Sequence, residues 1–190
     1  MDRLAQYNKL RDFDATAEPK GDAVADVKRA HVFVVQKHHA SRLHYDFRLS
    51  IGGVLVSWAV PKGPSLDPSQ RRLAVRTEDH PFDYRDFEGV IPPGQYGAGK
   101  VIVWDAGDFI PLNLPEGLAD EYEWLAKGSV YVELHGKKLR GRFKLIQMEG
   151  RGEENWLLVK GNDEYAVRGG DVTKEQPLSV ISGKDVDDIE

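Results

Sequence analysis

There is no cysteine among the 190 residues. That excludes a disulfide framework, a thiolate zinc site, an iron–sulfur cluster and a cysteine nucleophile. Nor is there any run approaching ~18 consecutive apolar residues, so no segment reads as a membrane-spanning helix. The start, Met1-Asp2-Arg3-Leu4, has no apolar stretch behind its charges. No secretory leader is expected, therefore, and the expected location is cytoplasmic. No internal repeat is visible, and the length suits one domain able to bury a real core. Hydrophobic residues at 41% and charged residues at 30% fit a globular chain.

The net charge of −5 argues against nucleic acid, but its distribution does not. Residues 1–27 carry net −2, residues 28–100 net +4, and residues 101–190 net −7. A basic middle between acidic flanks can meet phosphate while the whole chain stays acidic.

The local patterns are mostly those of strands. Residues 2–12 read as a helix, with Leu4, Tyr7 and Leu10 on one face and Asp2 as its cap. Residues 14–27 read as a loop or arm. Strands are expected at 31–36, 43–51, 54–60, 72–77, 100–104, 129–134, 138–147 and 156–160, with Gly52-Gly53 as a hairpin turn. A long loop is expected over 78–99 and a helix over 117–127, stopped by Gly128. About eight short strands with turn signals between them point to a mainly β fold, a compact barrel with short flanking helices. The expected division is an N-terminal helix and arm over 1–29, the barrel over 30–170, and an acidic tail over 171–190. That tail carries six acids and two lysines and is ordered only if it docks.

The informative segment runs from Gln36 to Leu49. Side chains alternate across a strand, so His44, Asp46 and Arg48 point one way and Tyr45, Phe47 and Leu49 the other. A histidine and a carboxylate two residues apart on one face can share a divalent ion, and His38 or His39 can complete a three-ligand set. Arg48, one step on, can grip a phosphate oxygen. The plain alternative is a charge ladder on a wet strand face. Four of the six histidines fall between 31 and 44, which favours the metal reading. A second cluster, Glu78-Asp79-His80-Pro81-Phe82-Asp83-Tyr84, follows the basic strand. It offers His80 and Tyr84 as proton donors or phosphate contacts. Lys62, in Pro-Lys-Gly-Pro, reads as a phosphate contact or a turn residue. The segment 92–100 lacks the ending of a phosphate-binding loop and reads as a structural turn.

Taken in order, the segments 36–49, 57–64, 78–84 and 89–97 closely resemble the 3′-phosphoesterase domain of bacterial DNA ligase D, and the likeness runs from Arg11-Asp12-Phe13 to Gly183. The resemblance implies a β-barrel with a metal site in a groove and a Mn2+-dependent enzyme, with Zn2+ or Co2+ as other metals for the site. It implies trimming of the 3′ ends of primer strands. A phosphodiesterase step removes a terminal ribonucleoside, and a phosphomonoesterase step then removes the 3′-phosphate. The implied setting is nonhomologous end joining at the nucleoid, on DNA or DNA/RNA 3′ ends, with Ku and ligase and polymerase modules as partners. Carried over by motif, the metal ligands are His38, His44 and Asp46. Arg48 and His80 hold the scissile phosphate, Tyr84 is a further phosphate-side residue, and Gln36, Lys62, Arg72 and Glu78 support the groove. His80 is the first candidate for protonating the leaving oxygen. Two other readings compete: a non-catalytic module that binds DNA ends, and a non-haem Fe(II) oxygenase using His44, Asp46 and His135.

Overall fold

The computed structural model describes residues 2–21 and 31–190. The arm expected over 14–27 is described as far as Gly21; its remainder and the expected boundary at 29/30 lie outside the described residues. Nine strands form one antiparallel sheet. They are β1 (Val32–His39), β2 (Leu43–Ile51), β3 (Val54–Val60), β4 (Arg71–Arg76), β5 (Gly89–Ile91), β6 (Gly99–Pro111), β7 (Ser129–Gly136), β8 (Arg140–Gln147) and β9 (Asn155–Lys160). Their order is β1-β2-β3-β4-β9-β8-β7-β6, and β6 pairs back onto β1, which closes an eight-stranded barrel. β5 adds outside the ring, on the first three residues of β6, while β7 takes residues 107–111 of the same strand.

The barrel follows from the local chemistry. Gly52 and Gly53 take φ of +57° and +82°, the left-handed pair that a two-residue hairpin needs, and so fix the β2–β3 register. That register sends Phe47, Leu49, Val56 and Trp58 inward to meet Phe33, Trp104, Phe143 and Trp156. Each fully buried large side chain contributes roughly 1.5–3 kcal/mol. The opposite faces of β1, β2, β3 and β6 are also covered. Tyr7, Val34, Leu55, Tyr84, Phe87, Val101 and Val103 form a second apolar cluster on the outside of the wall. Residues of the N-terminal segment and of 78–99 therefore lie over one outer face of the barrel, and the polar side chains of β1 and β2 are caught beneath them.

Three expectations need correction. The first helix, α1, spans only Ala5–Lys9; Arg11 leaves it to pair with Glu18 and Glu78. The helix expected at 117–127 is a 3-10 segment, Glu121–Lys127, because Gly117 at φ +74° breaks a right-handed start. Asp120 caps it through the Tyr122 N–H, and Gly128 ends it in the left-handed conformation. The loop of 78–99 contains a 3-10 turn, Phe82–Asp86, and β5, a strand too short to announce itself by alternation.

Residues 171–190 pack against the barrel. Helix α2 (Val172–Glu175), capped by Asp171, sends Val172 into the interior cluster. Val186 and Ile189 close over Ile102, Lys37 pairs with Asp185 at 2.9 Å, and the Trp104 indole N–H donates to the Gln176 carbonyl. A chain ending at Lys184 loses the burial of Val186 and Ile189. It is expected to be less stable by about 3 kcal/mol, read from urea unfolding. An unchanged midpoint would show that these contacts contribute nothing.

Candidate functional site

His38, near the end of β1, faces His44 at the start of β2, because the hairpin register pairs them directly. Asp46 lies two residues along on the same face. One ligand atom from each of the three lies within 4.8 Å of the others. His38 Nδ1 is 3.5 Å from one Asp46 oxygen, and His44 Nε2 is 3.6 Å from the other. These separations are long for hydrogen bonds and suit donors that share one ion at about 2.0–2.2 Å. The second ring nitrogens decide the tautomers. His38 Nε2–H donates to the Gly97 carbonyl at 2.8 Å, and His44 Nδ1–H donates to the Arg42 carbonyl at 3.0 Å. Each ring therefore turns a bare lone pair toward Asp46, the arrangement that ligating histidines adopt. Burial alone would raise the Asp46 carboxyl. The Arg48 guanidinium beside it outweighs burial and holds the group well below the usual carboxylate range. Two imidazoles, each neutral once it ligates, and an ionised carboxylate make a donor set that fits a divalent transition metal.

Arg48 lies beneath this set, almost wholly buried. Its Nε donates to Gln36 at 2.8 Å, Nη1 to Ser57 at 2.8 Å and Nη2 to Asp46 at 3.3 Å. Gln36 in turn donates to the carbonyls of Tyr84 and Phe87, which locks the covering turn to the barrel wall. His80 is bracketed by two guanidiniums. Its Nδ1–H donates to the Glu78 carbonyl at 2.9 Å, with Arg48 Nη1 3.0 Å from the same nitrogen; Arg11 Nη2 lies 3.1 Å from Nε2. Burial, then Arg48 and Arg11, push the imidazole pKa well below its ordinary value. Burial and both neighbours thus favour the neutral form of the ring, with Arg11 placed to donate to Nε2.

Residues 36–147 match the sequence profile of the DNA ligase D 3′-phosphoesterase domain. The chain belongs to this family. It is 52% identical over 187 residues to the multifunctional non-homologous end joining protein LigD of Pseudomonas aeruginosa, covering 94% of this chain and 21% of that protein. The counterparts of Mycobacterium tuberculosis and Mycolicibacterium smegmatis are 47% and 43% identical over 156 and 169 residues. These matches cover 82% and 88% of this chain and 19% and 22% of those proteins. The chain thus spans about a fifth of the length of the curated relatives it matches.

The remaining residues expected from the phosphoesterase motifs fall into two places. Gln36, Glu78 and Tyr84 stand around Arg48 and His80. The Tyr84 hydroxyl, however, donates to Glu18 at 2.9 Å, and its ring lies under the Arg48 guanidinium. Lys62 and Arg72 line a separate groove of about 550 Å3 with Lys37, Tyr45 and Lys174, and none of the three ligand candidates is among its walls. His135 stands on β7 beside Glu133, at 3.0 Å, and is not in the ligand group. Sequence reasoning missed Arg11 and Glu18. They form a buried pair at 2.9 Å that reaches both His80 and Tyr84. A lone Arg and a lone Glu in a polar loop carry no periodic signal; only the fold brings them over β2. No helix among the described residues is long and apolar enough to cross a membrane.

Proposed function

We propose that this chain is a metal-dependent phosphoesterase that repairs the 3′ ends of DNA or DNA/RNA primer strands, with Mn2+ as its metal. The observation that carries this reading is the convergence of two imidazole lone pairs and Asp46 directly above the buried Arg48, with His80 and Arg11 alongside. A divalent ion held by His38, His44 and Asp46 supplies Lewis-acid polarisation of a phosphate oxygen. The chain's own groups do the rest. The Arg48 and Arg11 guanidiniums set positive charge on both sides of the His80 ring, where negative charge grows on phosphate oxygens in the transition state. Gln36 and Ser57 hold the Arg48 fork still, so that little reorganisation is needed when substrate arrives. Glu18 and Glu78 fix Arg11 in the same way.

Two hydrolyses follow in this reading. In the first, water adds at phosphorus and the bond to the terminal ribonucleoside breaks, which leaves a 3′-phosphate on the strand. In the second, water releases that phosphate and leaves a 3′-OH fit for sealing. The partners in this reading are Ku and the ligase and polymerase modules, in keeping with the end-joining names of the relatives. The oxygenase alternative has no support at His135, which faces solvent beside Glu133.

The test uses purified protein with Mn2+ and a 5′-labelled primer–template ending in ribonucleotides, beside a 3′-phosphate version, with His44→Ala as control. The expected result is loss of one nucleoside, then of the phosphate, and neither with His44→Ala. Absence of product from the intact protein under several divalent metals would overturn the proposal and leave the reading as a module that binds DNA ends.

A further inference from the structure

The loop that gives its Gly97 carbonyl to His38 also carries an aromatic ring that nothing in the proposed chemistry uses. Tyr96 is 48% exposed, although it sits next to a buried site. Two separate links place it on the rim. Its neighbour Gly97 is bonded to His38, and its own hydroxyl donates to Glu78 at 3.4 Å, the residue that also holds Arg11. The ring is not idle underneath. The Arg11 guanidinium carbon lies 3.8 Å from the centroid of the Tyr7 ring and 5.5 Å from that of Tyr96, so one cation lies over both aromatic rings. One face of Tyr96 is thereby propped on a buried cation, the rim of the ring is tethered to Glu78, and much of what remains is open. Only one other aromatic among the described residues is comparably exposed, Tyr165, which sits with Arg140 and takes no part in this site. The backbone around Tyr96 is a tight double turn, with bonds from Gln95 N–H to Pro92 and from Ala98 N–H to Gln95, and with left-handed Gly94 and Gly97. The ring is therefore presented by a shaped loop.

An aromatic face set rigidly beside a phosphate-handling centre is the platform on which single-stranded bases stack, and it accepts any base because each has a π face. We infer that Tyr96 is the stacking platform for the nucleobase at or next to the 3′ end of the strand, so that the site reads a base-bearing end without reading its identity. This rests on the phosphoesterase reading for which end is presented, but the stacking itself is measured apart from turnover.

The probe is an oligonucleotide with 2-aminopurine at its 3′ terminus, compared with the same strand ending in an abasic residue. Both are titrated against the full chain in EDTA, so that nothing is hydrolysed. Stacking quenches the probe. Tyr96→Leu is expected to abolish the quenching and to weaken binding of the base-bearing end about tenfold, with the abasic end unchanged. Tyr96→Phe and Tyr96→Trp, which keep a ring, are expected to bind like the natural protein. Equal weakening of both ends, no weakening of either, or no binding of either strand by the natural protein overturns the inference. Base-dependent binding without any metal-dependent hydrolysis overturns the phosphoesterase reading alone; hydrolysis with binding indifferent to Tyr96 overturns the stacking alone.

Discussion

Asp46→Asn is expected to lower metal-dependent hydrolysis by about a thousandfold or more while leaving the barrel folded. The amide is nearly isosteric with the carboxylate, so packing on the outer face of β2 is kept. What is lost is the one anion between the His38 and His44 lone pairs. Without it the donor set is two neutral imidazoles and a weak carbonyl oxygen, and Arg48 next to it now repels a cation. A metal held here would contribute several kcal/mol of charge stabilisation at the transition state, which corresponds to about three powers of ten in rate. Calorimetric titration with Mn2+ beside a steady-state assay checks both halves. Retention of activity within tenfold would mean that the carboxylate is not a ligand, and the metal assignment would fail.

Arg48→Leu is expected to destabilise the chain by about 3–5 kcal/mol, because it leaves the Asp46 carboxylate buried without its counter-charge. For a chain of this size that is a fall of about 10 °C in the melting temperature. Mn2+ is expected to restore more stability to the variant than it adds to the natural protein. Only in the variant does the cation replace a missing positive charge, and a ligand that binds the folded state alone stabilises it by mass action. Hydrolysis is expected to fall by more than a hundredfold and not to recover in Arg48→Lys. A lysine cannot reach Gln36, Ser57 and Asp46 at once with a planar fork. Melting curves with and without Mn2+ check the first part. An equal Mn2+ effect on both proteins would show that guanidinium and cation do not share the carboxylate.

The strand face of His44, Asp46 and Arg48 was legible because period-two alternation depends only on neighbouring residues, and Tyr45, Phe47 and Leu49 do fill the barrel interior. The barrel class was legible for the same reason, from short alternating runs with turn residues between them. What escaped was everything set by long-range pairing. Closure of β1 on β6 joins residues some seventy positions apart. The three-residue β5 exists only because β6 offers it an edge. Arg11 and Glu18 gain their meaning only when the N-terminal segment crosses the outer wall. The lowered pKa of His80 comes from its burial and from two arginines, one 32 positions before it and the other 69. The end of the acidic tail carried no clue to its docking, since Val186 and Ile189, which help to anchor it, are two apolar side chains among charges.

The ring of His38 is oriented by a backbone carbonyl, that of Gly97, and the ring of His44 by another, that of Arg42. A peptide oxygen is present whatever side chain its residue bears. Geometry at the proposed metal site is therefore insulated from most sequence drift in the turn at 40–42 and in the loop at 92–99, with left-handed positions such as Gly97 as the exceptions. The same loop that steadies His38 is free to change what it shows to a ligand. In the proposed reading, selectivity for one kind of strand end over another can diverge between members of the family without rebuilding the three-ligand group.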